Sequence, residues 1–300
     1  MGRSITILSA IGLGVLLPFA GQFSFIIRYN LMVMLFLAFL NVRFSRRLLE
    51  WGHAKVLAVN LFFPLVLVLV ITPFDPVLAL ALFAVAVAPT AAVAPAITGF
   101  LGGEVAFVTT AVLLTSPIVA LVLPLTLPWV AGKEASVSVL EVAGPVLSLI
   151  FIPLGLSYAL RRLSAAATAW IQRFSGISFL LFLSNVFIAS ASASAFVSQT
   201  GRDTHGKVME IALAVVALCL FQFRLGEWLG RPEKTIETGM ALGRKNTMFG
   251  IWLALTFIQP IAALGPIFYI LFQNLYYSWQ MYGVGKGRMA EAEKSRNAAH

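Results

Sequence analysis

Glu237-Thr238-Gly239-Met240-Ala241-Leu242-Gly243-Arg244-Lys245-Asn246-Thr247 sets two adjacent cations inside an otherwise apolar run that extends over about 235–255. A charge at bilayer depth is costly and by default marks a functional position. The alternative is that Arg244 and Lys245 snorkel to an interface. That requires a helix starting near Asn246, and the apolar run 248–257 alone is too short to cross a membrane. Pro260 and Pro266 interrupt any extension. The stretch therefore reads as an interrupted span with a buried site.

The rest of the chain agrees with a bilayer setting. Of its 300 residues 60% are hydrophobic and 11% charged, against roughly 25% charged in an average soluble domain. Mean hydropathy is +0.93. So few charges cannot cover a soluble globule, which excludes a soluble enzyme, a disordered chain and a nucleic-acid module. The net charge of +9 is then expected in cytoplasmic loops rather than against nucleic acid. The single Cys219 excludes a disulfide framework and a Cys-based metal site. His53, His205 and His300 do not cluster.

Proline, glycine and charge punctuate the chain into ten apolar spans, at about 4–20, 26–42, 56–72, 77–101, 105–130, 137–160, 177–197, 208–229, 235–255 and 261–281. The first resembles a signal peptide in having Arg3 and an apolar run. It lacks a small-x-small cleavage site and is read as the first transmembrane helix. With the N-terminus inside, the inner segments hold Arg3, Arg43, Arg46, Arg47, Lys55, Arg161, Arg162, Arg173, Arg224, Arg231 and Lys234. Lys286, Arg288, Lys294 and Arg296 join them in the tail, while the outer segments hold only Arg28, Lys133, Arg202 and Lys207. This bias predicts an inner or plasma membrane protein with both termini cytoplasmic.

Ten spans divide into five and five, and an odd-membered repeat inserts in opposite orientations. The expected units are 1–135 and 136–284, followed by a polar cytoplasmic tail at 285–300. The fourth and ninth spans are the interrupted ones, roughly 155 residues apart, and paired breaks of this kind point to a transporter's midplane site. The fourth reads Ala88-Pro89-Thr90-Ala91-Ala92-Val93-Ala94-Pro95-Ala96-Ile97-Thr98-Gly99. Pro89 and Pro95 are expected to break it, as Gly243 breaks the ninth. A simple proline kink in a packing helix is the plainer alternative.

On these residues the chain resembles the bile acid:sodium symporter family. Tyr29-Asn30-Leu31-Met32-Val33-Met34 with Asn41-Val42-Arg43-Phe44 is similar to the family's Met-rich helix and basic turn. The fourth span resembles its first crossing helix, with Gly103-Glu104-Val105-Ala106 at the exit. Gly243-Arg244-Lys245-Asn246-Thr247, Gly265-Pro266 and Phe272-Gln273-Asn274 resemble the second crossing helix and its partner. The likeness covers most of the chain and is best over 242–280. It implies an all-α, polytopic fold of two inverted five-helix repeats, with a panel domain, a core domain, and unwound fourth and ninth helices that cross. It implies sodium-driven transport of organic anions such as bile acids, sulfated steroids and small carboxylates.

The departures bear on sodium. The family's Ser-Asn pair falls on Ala94 and Pro95, and its Glu and Gln ligands fall on Ala241 and Lys245. A second register restores the Glu as Glu237 but puts Ala241 and Leu242 at the Gln and Asn positions, and shifts the helix against Pro266. Sodium needs a cage of oxygens, and a Lys ammonium repels the ion. Lys245, with Arg244, is expected to replace sodium, leaving proton coupling or none. No metal and no cofactor is expected. By the same likeness Asn246, Thr98, Gln273 and Asn274 join Lys245 and Arg244 around a small organic anion. Interhelical hydrogen bonding is the alternative for Gln273 and Asn274.

Other polar residues read as structural. Ser184, Asn185 and the Ser/Ala run 189–194 suit close helix packing. Glu141 starts the sixth span, and Glu227 is expected to pair with Arg224 and Arg231. Cys219 is expected buried, and Tyr276, Tyr277 and Trp279 suit an interfacial belt. The tail is expected to fray. An arsenite-type exporter would carry a cysteine in the first crossing helix, and none lies between Ala88 and Gly103. A membrane enzyme finds no HExxH, paired aspartates or Ser/Lys dyad, so no enzyme is expected. A non-transporting sensor or scaffold on the same fold remains the alternative.

Overall fold

The computed structural model describes residues 2–41, 49–131, 138–200 and 204–297, with side chains at 5–41, 49–131, 138–199 and 206–283. Val42, Arg43, Phe44, Arg46, Arg47, Lys133 and Arg202 lie outside the described residues. Among the described residues the secondary structure is helical, without a strand. In order, the helices are α1 (Gly2–Leu16), α2 (Ile26–Leu40), α3 (Trp51–Ile71), α4 (Pro76–Ala86), α5 (Ala94–Leu101), α6 (Val105–Ala131) and α7 (Val139–Leu163). Then follow α8 (Ala165–Gln172), α9 (Ile177–Thr200), α10 (Thr204–Leu229), α11 (Thr235–Gly243), α12 (Thr247–Phe257) and α13 (Leu264–Asn297).

Five of them are long and apolar enough to cross a membrane: α3, α6, α7, most of α9 and most of α10. Shorter apolar helices cover 5–16, α2, α4 and α12. The protein is a helical, membrane-embedded one. Exposed large apolar side chains such as Leu16, Phe62, Leu125, Leu180 and Leu213 run along its flanks, as a lipid-facing surface requires. One feature differs from the sequence expectation. The short α8 follows α7, started by the Ser164 hydroxyl accepting from the Ala167 amide at 3.1 Å. The last helix, α13, runs past 285 to Asn297.

Local chemistry sets the ends. Asp75 caps α4 by accepting from the Leu78 amide at 2.9 Å, ahead of Pro76 in the first turn. Ser138 and Glu141 form a capping box on α7. Gly102 ends α5 at φ 85, where an L side chain would be strained. Lys55 reaches the last carbonyl of α10, Leu229, at 3.2 Å.

The helices pack in two groups. In the first, α1 lies on α9 and α2 lies on both α7 and α9. The second is built from α3–α6 and α10–α13 around a continuous apolar core. α10 and α11 approach through glycines: a Cβ at Gly226 would fall 2.5 Å from the Thr238 carbonyl oxygen, and one at Gly239 2.9 Å from Glu227. α12 and α13 come as close to α4, where Cβ atoms at Gly250 and Gly265 would meet the Ala84 and Ala81 carbonyl oxygens at 2.5 and 2.2 Å. Small residues permit this backbone contact, and it sets the two interrupted helices side by side.

Candidate functional site

Both expected interruptions exist. α4 stops at Ala86, because Pro89 has no amide hydrogen and the Thr90 amide turns to the Thr115 hydroxyl at 3.1 Å. α5 restarts at Ala94. Pro95 is not a break: it sits in the first turn of α5, where a missing N–H costs nothing. In the second half α11 stops at Gly243, and Arg244 is extended (φ −90°, ψ 92°). Asn246 then caps α12, its side chain accepting from the Phe249 amide at 3.3 Å.

The two breaks cross. Thr90 and Lys245 form an antiparallel bridge. The Ala91 amide donates to the Arg244 carbonyl at 2.8 Å, and the Asn246 amide donates to the Pro89 carbonyl at 2.8 Å. Side chains repeat the exchange. The Thr90 hydroxyl donates to the freed Ala241 carbonyl of α11 at 2.7 Å. The Lys245 ammonium donates to the freed Ala86 carbonyl of α4 at 2.8 Å and to the Asn60 side-chain oxygen. Each interrupted helix thus satisfies the last turn of the other. Lys245 is 1% exposed, and its charge stands at the negative end of the α4 dipole.

Arg244, 7% exposed, turns the other way. Its guanidinium donates to the Gln273 carbonyl at 3.0 Å and to the Asn274 side-chain oxygen at 2.8 Å. It lies 5.8 Å from the Tyr277 ring centre. Arg244 Nε and Gln273 Oε1 are buried without a partner. Among the described residues no ion pair involves Arg244 or Lys245, so the crossing keeps a net positive charge. Tyr269 anchors the C-terminus of α11, donating to the Gly243 carbonyl at 2.7 Å with Gln222 at 2.9 Å on the far side of its hydroxyl. The hydroxyl proton serves one acceptor, so the Gln222 amide pairs when its nitrogen faces the Tyr269 oxygen.

The structure brings Lys245, Arg244, Asn246, Gln273 and Asn274 together with Pro89 and Gly243. Thr98 stands apart from them in its bonding, because its hydroxyl returns to the Ala94 carbonyl at 2.9 Å. Ala94 starts α5 and Ala241 lies in α11, and at both it is the backbone oxygen that is engaged. Glu237 is not at the crossing: its carboxylate accepts from the Glu104 amide at 2.6 Å, ahead of the N-terminus of α6. Tyr276 is enclosed by protein rather than exposed on the surface. It is buried, donates to Glu227 at 2.6 Å and stacks on Phe223 at 4.2 Å. Glu227 pairs with Arg224 as expected, Oε2 lying 3.7 Å from the guanidinium, while its Oε1 accepts from Tyr276 and Gln280. Cys219 is buried as expected.

Sequence reasoning passed over Asn60, Thr90 and Thr115. Asn60 carried a readable signal, as a lone amide in the apolar helix α3. Gly226/Gly230 and Gly239/Gly243 were readable too, as two small-x-x-x-small spacings, one running from the end of α10 into the turn after it and one in α11. Together these define a helical membrane protein with two interrupted helices crossed at a buried cation. No family model matches the chain, and no curated protein matches it.

Proposed function

We propose that the protein is a secondary transporter of small organic anions, working by alternating access on the plan of the bile acid:sodium symporter family. The observation that carries this reading is the crossing, where Lys245 meets the freed end of α4, Arg244 lies buried beside it, and among the described residues neither cation has a carboxylate partner. Broken helices at membrane depth are tolerated where their backbone is satisfied by protein or faces a cavity, and they build the binding sites of transporters.

In this reading α4 with α5, and α11 with α12, each make one crossing of the membrane, giving ten spans in two inverted units at 1–135 and 136–284. A constant offset supports it. Asn30 donates to Asn185 at 2.8 Å, 155 residues away. The same offset relates Thr90 to Lys245 and Ala86 to Ala241. It also exchanges the Ala91–Arg244 hydrogen bond with the Asn246–Pro89 one. Packing follows suit, since α1 lies on α9 as α7 lies on α2. The first packing group then serves as the panel and the second as the core.

Lys245 takes the place of sodium: its ammonium supplies the positive charge at the end of α4 that an ion would otherwise bring. Asn246, Gln273 and the unpaired Arg244 Nε offer the substrate its polar contacts, and Asn274 holds Arg244. The carried charge favours a carboxylate or sulfate ester. α12 and the 3-10 turn Pro260–Ala263 pack on α9, while α5 and α11 have their main partners among α3, α6, α10 and α13. The cleft between panel and core therefore opens toward α5 and α11. With both termini cytoplasmic in an inner or plasma membrane, that side is the inner one.

Uptake into proteoliposomes tests the reading, using bile acids, sulfated steroids and small carboxylates with and without sodium across a range of pH. Uptake without sodium that responds to a pH gradient is expected. Strictly sodium-dependent, pH-insensitive uptake would remove Lys245 from the coupling role. A non-transporting sensor or scaffold is favoured by one observation: Lys245 and Arg244 already have protein partners. Substrate-induced stabilisation of the purified protein separates the two, since an inert scaffold shows none.

A further inference from the structure

Outside the crossing, α10 and α13 leave a groove of about 330 Å3 on the lipid-facing surface. Val216 and Leu220 of α10 and Phe272 and Leu275 of α13 form its apolar walls. The helices run in the same direction, because Gln222 meets Tyr269 and Glu227 meets Gln280. Arg224 and Trp279 therefore stand together at one end of the groove, with the Arg224 guanidinium 5.5 Å from the Trp279 ring centre. From Val216 to Arg224 the helix rises about 12 Å.

Arg224 pairs with Glu227 on one side and leaves most of its side chain exposed. Tyr276 at 2.6 Å and Gln280 at 3.2 Å both donate to Glu227 Oε1, while Oε2 pairs with the Arg224 guanidinium at 3.7 Å, and 61% of the Arg224 side chain stays exposed. A second hollow of about 340 Å3, lined by Leu101, Ile236 and Tyr282, opens on Trp279 as well. Trp279 thus touches two hollows of similar size, with a cation over its ring. An aromatic residue beside an arginine is what headgroup depth requires, and the apolar walls lie deeper.

We infer that this groove is a site for one anionic phospholipid, with an acyl chain along α10 and α13 and the phosphate on Arg224. Charge complementarity selects the occupant: a neutral detergent or a zwitterionic lipid offers the apolar part without the net negative charge. The site connects to the crossing through its floor. Tyr276 stacks on Phe223, and a Cβ at Gly243 would fall 2.4 Å from the Phe223 ring. Gly243 immediately precedes Arg244, so the lipid supports the packing of α10 on α11 next to the cations. The inference needs only the membrane setting and stands whether or not the protein transports.

Native mass spectrometry and thermal melting of the full chain with phosphatidylglycerol or phosphatidylcholine test it. Retention of phosphatidylglycerol over phosphatidylcholine by at least fivefold is expected, with a higher Tm in the anionic lipid. Arg224→Gln should abolish the preference while apolar chain binding persists. Leu220→Trp should fill the groove and reduce binding of both lipids. Equal retention of the two lipids by the wild-type chain, or an unchanged preference in R224Q, would overturn the assignment. So would a lipid-independent dimer whose cross-links map to Leu220 and Leu275, because a second copy would then cover the groove. Arg224→Lys keeps the fold and the charge, so it must retain the preference.

Discussion

The two interrupted helices solve one backbone problem with different residues. In Ala86–Ala94 the break is covalent, since Pro89 lacks a donor and no charge is present. In Ala241–Thr247 no proline occurs, and the chain is held open by side chains that reach elsewhere: Arg244 to α13 and Lys245 to α3 and α4. The main-chain bonds of the crossing are interchangeable, both at 2.8 Å. The side-chain bonds are not. A neutral hydroxyl, Thr90, closes α11, while an ammonium closes α4. The shared backbone pattern reports the architecture, and the unshared charge reports the chemistry. A crossing that served only packing could use a hydroxyl on both sides, without the cost of burying a cation.

The strongest way to break this contrast is to remove the charge. Lys245→Met leaves the Asn60 oxygen and the Ala86 carbonyl buried without a donor. Destabilisation on the order of 3 kcal/mol is expected, read as a lower Tm in detergent, together with loss of sodium-free uptake. A Tm within a degree of wild type would show that the ammonium is not what holds α4.

Thr90→Val probes the neutral half. It strips the donor from the Ala241 carbonyl and should cost about 1–2 kcal/mol in melting experiments. Thr90→Ser should recover most of it. If T90V proved as damaging as K245M, the asymmetry would lie in packing rather than charge.

The pair at the same 155-residue offset in the other packing group, Asn30 and Asn185, should couple more weakly. A double-mutant cycle with alanine is expected to give about 0.6 kcal/mol, the usual size for interhelical hydrogen bonds in membranes. A coupling near zero would detach the two asparagines from each other and weaken the symmetry that they mark.

The smallest effect is expected at the edge of the crossing segment. Lys234 lies in the turn before α11, donating to Glu104 and standing 3.5 Å from Glu50. The hydrogen bond to the Glu104 carboxylate raises the Lys234 ammonium above its ordinary value of 10.5. A raised value in the folded protein means that the contribution is complete below 10.5 and fades as pH climbs through the raised value. Lys234→Gln should cost under about 0.5 kcal/mol at neutral pH, and melting curves of the two proteins should converge in strong alkali.

Much of this was legible in the chain. The helical type, the membrane setting and the positions of most helices follow from 60% hydrophobic residues and their punctuation by proline and charge. The interruptions at Pro89 and around Arg244-Lys245 follow as well, because a proline or a buried cation is a local obstacle to a helix. Tertiary structure alone decided what the freed groups bind. No local rule tells that Lys245 turns to Asn60 and Ala86 while its neighbour Arg244 turns to Gln273 and Asn274. Nor does one tell that Glu237 holds the start of α6, or that Thr98 bonds within its own helix. Each broken helix finishes its last turn with a residue from the opposite half of the chain, and such a pairing exists only once the two halves have packed.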